Sequence, residues 1–332
     1  MCIKEGIARM EKLPKFDEMV PSTITMMVYS NLTFSLTDIF SGIEVNSGAA
    51  SYFLTTRKNN IDKKTIKAPY GVIISTQNKD RIRGLDLRKV KKEKKKKSKK
   101  IDFFRNQLMI WIVLENNVLL NVMIFNNCLK LAGCRDEKSG YEAVMLLWEE
   151  YIRPNKSWWK IRDGPWKNDG KVYFLSEMVM RNVDFQLGFS LNRASLNSLM
   201  NEKKYKDIVA LSQYESTVHT NVNIQLFSET PKNFKYTTLV YDPKKTKPYF
   251  ILEEKNRYGK RKGTKKKFTT FIVFSTSEVI LTGRYIENMR KAYEFFIKTV
   301  MSHRKSLEEK IVKKKEEIFI DFADEEDEGT KD

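Results

Sequence analysis

The sequence predicts an α+β protein made of two divergent copies of one unit, and three observations predict it. The first is order: five landmarks recur in the same succession in both halves of the 332-residue chain. "FSLTDIF" (34–40) answers to "FSLNRAS" (189–195), and "PYGVI" (69–73) to "PYFIL" (248–252). The Lys/Arg run "RKVKKEKKKKSKK" (88–100) answers to "KNRYGKRKGTKKK" (255–267), and "CLKLAGC" (128–134) to "EVILTGR" (278–284), each cadence opening a helix, 140–152 and 288–300. The second is the mixture of period-two apolar stretches with stretches of helical spacing. The third is the period itself, far longer than that of any solenoid repeat.

The elements follow in order. Residues 1–20 form a short extension. "STITMMVYSNLTF" (22–34) is β-branched and roughly alternating, which predicts a strand. Ser35 is a suitable N-cap, with Leu36, Ile39, Phe40 and Ile43 at helical spacing behind it. "YGVIIST" predicts a strand, and 107–133 predicts three more, broken at Glu115-Asn116-Asn117 and at Asn126-Asn127. "EKSGYEAVMLLWEEYI" places Ala143, Leu146, Leu147 and Tyr151 on one helical face. "WWKIRDGPWKNDGK" (158–171) predicts a connector. The second half repeats the scheme with a strand at 178–187, a helix at 193–201, a strand at 248–254, a hairpin at 268–282 and a helix at 286–300. The domain plan is then 1–20, a first copy at 21–157, a connector at 158–176, a second copy at 177–302 and a charged, acidic tail at 303–332.

Composition narrows the class. With 41% hydrophobic and 12% aromatic residues the chain carries enough apolar material for a core. No apolar run approaches the roughly 20 residues of a membrane span, so no membrane partner is expected. The three cysteines, Cys2, Cys128 and Cys134, form neither a disulfide framework nor a metal pattern, which points to a reduced intracellular protein. Cys134 beside Gly133 reads as a small core residue. With two histidines, no Walker loop and no nucleophilic triad, neither an enzyme nor a cofactor is expected.

The formal charge of +19 is concentrated. Residues 88–100 hold ten Lys/Arg against one Glu, and 255–267 hold eight with no acid, which leaves an almost neutral body. Each run alone reads equally well as a solubility or import signal. Their expected placement at equivalent points of the two copies favours a polyanion, since lysines gain affinity by releasing counterions from phosphates. Lys94, Lys95, Lys96, Lys97, Arg257, Lys260, Arg261, Lys262, Lys265 and Lys266 are the candidate phosphate contacts. The hairpin "FTTFIVFSTSEVILTG" is apolar on both faces, with Phe271 and Val273 on one and Ile272 and Phe274 on the other. Either the sheet is buried on both sides, or one apolar face is kept for a ligand.

At these residues the chain resembles the TATA-binding proteins. "FSTSEVILTGRY" with "MRKAYEFFIKTV" is similar to that family's second-repeat hairpin and long helix. "YDPKKTKPYFIL" is similar to its Tyr-x-Pro segment, and "NVMIFNNCLKLAGC" to its first-repeat hairpin, most closely in the divergent forms of large nucleocytoplasmic DNA viruses. The resemblance spans about 22–300. It implies a pseudosymmetric two-repeat saddle, a curved antiparallel sheet with helices on the convex face and DNA on the other. It further implies wedge residues Tyr70, Phe125, Tyr249 and Phe274, which would unstack base steps. The sheet floor would comprise Thr23, Thr25, Val72, Lys130, Ala132, Asn182, Ile251, Ile272, Ile280 and Thr282. Lys130 on that floor departs from the family, and the central asparagine pair is replaced by Thr23 and Asn182. Both departures bear on recognition of a standard TATA sequence.

The function expected is that of a transcription initiation factor, a monomer that binds AT-rich promoter double-stranded DNA in the minor groove and bends it. General transcription factors and RNA polymerase would be its partners, in a host nucleus or a cytoplasmic viral factory. The alternative is a protein-interaction scaffold whose Lys-rich loops bind nucleic acid without specificity. An RNA-binding or virion-packaging role is a third option.

Overall fold

A computed structural model of the protein describes residues 13–46, 48, 51–56, 62–87, 106–162, 169–215, 221–229, 231, 233–256 and 267–309. Seventeen strands lie among them. The first nine are β1 (Thr23–Ser30), β2 (Leu32–Phe34), β3 (Ser51–Thr56), β4 (Asp62–Lys67), β5 (Ile73–Asn78), β6 (Arg81–Gly84), β7 (Leu108–Leu114), β8 (Val118–Ile124) and β9 (Cys128–Cys134). Then follow β10 (Trp159–Ile161), β11 (Val172–Gln186), β12 (Val209–Tyr214), β13 (Asn221–Ser228), β14 (Asn233–Tyr241), β15 (Tyr249–Asn256), β16 (Lys267–Phe274) and β17 (Glu278–Gly283). The helices are α1 (Leu36–Gly42), α2 (Glu137–Leu146), α3 (Arg193–Met200), α4 (Ile286–Ser302) and α5 (Arg304–Leu307), and a π-helical turn, Leu147–Ile152, continues α2.

Thirteen strands form one antiparallel sheet in the order β12-β13-β16-β17-β11-β1-β9-β8-β7-β5-β6, with β14 and β15 branching from β11. Two small sheets stand outside it, β10 with β2 and β3 with β4. This overturns the saddle with helices on its convex face. The dominant feature is a very large sheet, and four of the five helices have 10 residues or fewer, too little to layer one side of it. Strand propensity decided the balance: stretches such as 209–214, 221–228 and 233–241, left unassigned in the sequence, are rich in Val, Ile, Tyr and Thr and pair as strands.

Outward from the central pair β1–β11, the two halves run through the chain in the same pattern, with β9, β8, β7, β5 on one side and β17, β16, β13, β12 on the other. The matched landmarks do not all share that register. "PYGVI" leads into β5, whose counterpart by position is β12, whereas "PYFIL" opens β15 on the side branch. The basic runs therefore interrupt different connections: 88–100 falls between β6 and β7, and 255–267 runs from the end of β15 to the start of β16. A Pro-Tyr followed by apolar residues is a generic strand opener, so it matched in composition without matching in place.

The cores are two. One gathers Met26, Val28, Ile112, Leu120, Leu131 and Leu147 beneath α1 and α2, and the other gathers Phe271, Val273, Leu281, Phe296 and Val300 beneath α3 and α4. β11 serves both. Its buried residues are even-numbered at Val172, Phe174 and Ser176 and odd-numbered at Val183 and Phe185. The parity changes at a bulge where Thr25 pairs with Met180 but Met26 pairs with Met178. One extra residue rotates the rest of the strand by one face. The domain boundary expected at 176/177 thus falls inside a single continuous strand.

Candidate nucleic-acid interface

Cross-strand register defines the two faces of the sheet, because directly opposed residues share a face. On one face, Ile24, Met26, Val28, Ile110, Leu120, Leu131, Phe271 and Leu281 are buried in the cores. On the other, the outer face, most residues are half-buried or exposed. The question posed by the hairpin is answered there: Phe271 and Val273 are core, while Ile272 and Phe274 lie on the outer face and are half-buried.

Four rows cross the outer face. In the second half, Leu211, Gln225, Thr270, Thr282, Asn182 and Thr23 are successive partners, and Gln213, Asn223, Ile272, Ile280 and Asp184 form the next row. In the first half, Thr25, Ala132, Asn121, Trp111 and Ser75 make one row and Met27, Lys130, Met123, Met109 and Gln77 the other. Thr23 and Asn182, the residues standing where the resemblance places a central asparagine pair, face each other across β1–β11. The Thr282 hydroxyl donates to Asn182 Oδ1 at 2.9 Å, which holds that amide in place. Eight of the ten expected floor residues, Thr23, Thr25, Lys130, Ala132, Asn182, Ile272, Ile280 and Thr282, are therefore brought onto one surface.

The other two are not. Ile251 lies on β15 opposite Thr238, off the main sheet. Val72 precedes β5 and is joined to β7 through the Val113 N–H to its carbonyl. The expected wedges divide in the same way. Phe125 and Phe274 stand at the ends of β8 and β16, each just before the turn to the next strand and each continuing the outer-face alternation. Tyr70 sits on the helical side instead, 54% exposed, where burial and the Glu142 carboxylate of α2 raise its phenol above the ordinary range. Tyr249 lies on the β14–β15 branch beneath Lys245, whose Nζ is 4.1 Å from the ring centre. Both tyrosines were carried over from a Pro-Tyr landmark that the strand order separates. All ten candidate lysines and arginines of the basic runs lie outside the described residues.

Some outer-face residues were not expected. Asn121 and Asn223 each have a buried amide oxygen with no hydrogen-bond partner among the described residues. Met27, Met109 and Met123 make a soft apolar stripe around Lys130. The signal for the β13 residues was available: "NVNIQLFS" alternates polar and apolar along its length. At the first-half end, residues 85–87 fold over this face, with the Ser75 hydroxyl donating to the Leu85 carbonyl at 2.6 Å. A cavity of about 260 Å³ remains there, lined by Gln77, Met109 and Trp111. Cys134 is fully buried on the other face, and burial pushes its thiol up to about 12, so it is a core residue without nucleophilic use at neutral pH.

The class defined so far is a large antiparallel-sheet protein with two cores on one face and a continuous, mixed polar and apolar surface on the other. Comparison with known proteins adds little to it. No family model matches the chain. It is similar to "Uncharacterized protein 335L" of Invertebrate iridescent virus 6, with 24% identity over 231 residues, covering 65% of this chain. The match spans 66% of that viral protein, a little under two thirds of its length. No helix among the described residues is long and apolar enough to cross a membrane.

Proposed function

We propose that the outer face receives double-stranded DNA, in the minor groove of AT-rich promoter sequence, and that the protein is a transcription initiation factor related to the TATA-binding family. The observation that carries this reading is the continuity of the outer face across β11–β1, with Thr23, Asn182 and Thr282 at its centre. A minor groove offers acceptors at every base pair and only one donor, on guanine. A surface of short hydroxyl and amide groups set among Ile, Ala and Met suits that floor: the polar groups satisfy a few acceptors and the apolar ones read shape. Phe125 and Phe274, at the ends of matching strands, would be the side chains that press between base steps. The two lysine-rich runs supply positive charge that attracts a phosphate backbone. RNA polymerase and general transcription factors remain the partners this role would require. The similarity to an iridescent-virus protein is in keeping with action in an infected cell, in its nucleus or a cytoplasmic factory.

A second reading has its own support. Asp184 is exposed beside Ile280 in the outer-face row, and a carboxylate there repels phosphate. Under that reading the sheet is a protein-docking scaffold and the lysine runs bind any nucleic acid.

Fluorescence energy transfer across short duplexes of differing AT content, at two salt concentrations, separates the two. For DNA reading by the face, AT-rich duplex is bound and bent, part of the affinity survives the higher salt, and Phe274→Ala abolishes the bend. Binding that ignores sequence, never bends the duplex, is indifferent to Phe274→Ala and disappears at the higher salt sinks the promoter reading.

A further inference from the structure

We propose a second ligand site on the opposite side of the sheet: a cleft that takes a nucleotide unit, a planar base joined to phosphate. The cleft has a volume of about 740 Å³ and lies where the π-helical turn, β10, the start of β11 and the β14–β15 connection meet. That size falls within the range of small-molecule sites. Its floor is aromatic. Trp148 stands edge-on to Trp159 at 5.0 Å and to Tyr241 at 6.1 Å between ring centres. Its rim is cationic, with Arg153, Lys156 and Lys245 among the lining residues and no carboxylate among them.

Two features mark the cleft as more than a packing gap. The backbone here is a π-helical turn, an uncommon and strained form that recurs at ligand sites. Two of the rim cations, moreover, lie over rings with no ion pair among the described residues, while Lys245 is near enough to Asp242 to lower its carboxyl. Arg153 lies 5.1 Å above the Tyr241 ring, and Lys156 Nζ lies 4.3 Å above Trp159. Among the described residues of the flanking loops, Asp242 pairs with Lys171 at 3.4 Å, and Asp169 with Lys171 and the Tyr173 hydroxyl.

Aromatic faces stack on any base, and a guanidinium with two ammonium groups binds phosphate oxygens. A carboxylate alone would satisfy the rim and leave the floor unused. A neutral aromatic would do the reverse. A nucleotide meets both requirements, and it could come from free nucleotide or from the end of a single strand.

The test is tryptophan fluorescence titration of the full chain with AMP, ATP, inorganic triphosphate and a six-nucleotide single-stranded DNA. It compares wild type with Arg153→Ala/Lys156→Ala, Lys156→Glu and Phe274→Ala. Expected are quenching by the nucleotides or the oligonucleotide, binding weakened about tenfold or more by each cleft variant, and AMP and ATP binding unchanged by Phe274→Ala. AMP bound as tightly as the oligonucleotide identifies a free nucleotide as the source, and a clear preference for the oligonucleotide identifies a strand end. The proposal is overturned if no probe binds, if inorganic triphosphate binds as tightly as ATP, or if the rim variants bind like wild type while circular dichroism shows them folded. The Phe274→Ala arm keeps this result independent of DNA binding by the outer face.

Discussion

Asp136 and Ser139 close the start of α2 by a reciprocal pair of hydrogen bonds. The Ser139 N–H donates to Asp136 Oδ1 at 2.7 Å, and the Asp136 N–H donates to Ser139 Oγ at 3.3 Å. The backbone bond from Ser139 holds the Asp136 carboxyl below the usual carboxylate range. A carboxyl with a lowered folded pKa stabilises the protein fully above its unfolded value and loses that contribution as pH falls through the folded value. Asp136→Ala should therefore cost about 1 kcal/mol at neutral pH, and the gap from wild type should shrink in acid. Urea unfolding at pH 7 and near pH 3 measures this, and an equal gap at both would show that the charge is irrelevant to the cap. Single residues were unevenly legible. That Phe271 and Phe274 point to opposite faces follows from strand alternation. That Phe271 is the core residue, stacked on Phe296 at 4.3 Å, depends on a helix 25 residues further along the chain. Tyr70 was illegible because a tyrosine after proline carries no mark of the surface it will meet.

At the scale of elements, the close approach of α2 to the sheet rests on Gly140. A Cβ there would strike the Met26 sulfur of β1, and Met26 is fully buried. Gly140→Ala pits two effects against each other: alanine favours a helix by up to about 1 kcal/mol, and overpacking a filled core costs about 1–3 kcal/mol. The contact should win, giving a net loss of stability in thermal or urea unfolding. A stabilised variant would mean that Met26 has room to swing aside. The elements themselves were mostly readable where apolar, β-rich stretches were bounded by turn residues, as in β8, β16 and β17, or where helical spacing was regular, as in α4. β13 was readable and missed. β11 was not fully readable, because its bulge breaks the period-two pattern in the middle and makes one strand of 15 residues resemble a connector followed by a shorter strand.

For the whole molecule, β11 makes the two halves interdependent. The first core includes Val172, Phe174 and Leu239, all from beyond the first copy. Each such buried side chain contributes roughly 1.5–3 kcal/mol, a large share of the 5–15 kcal/mol that holds a typical domain together. A fragment of residues 1–157 should therefore fail to fold cooperatively, and the full chain should unfold without a stable isolated first half. Circular dichroism with urea titration checks this, and a cooperative transition in the fragment would show two independent domains. Strands in the hairpin regions, a succession of matched landmarks and the gathering of charge in two runs are all legible without the fold. These are local properties, written in side-chain period and composition. The folded chain settled the rest: thirteen strands join into one sheet, Thr23 meets Asn182, Tyr249 leaves the main sheet, and two tryptophans and three cations surround one cleft. Each of these depends on which strand edges pair, and edge pairing is set by the competition of backbone hydrogen bonds and burial over the whole chain.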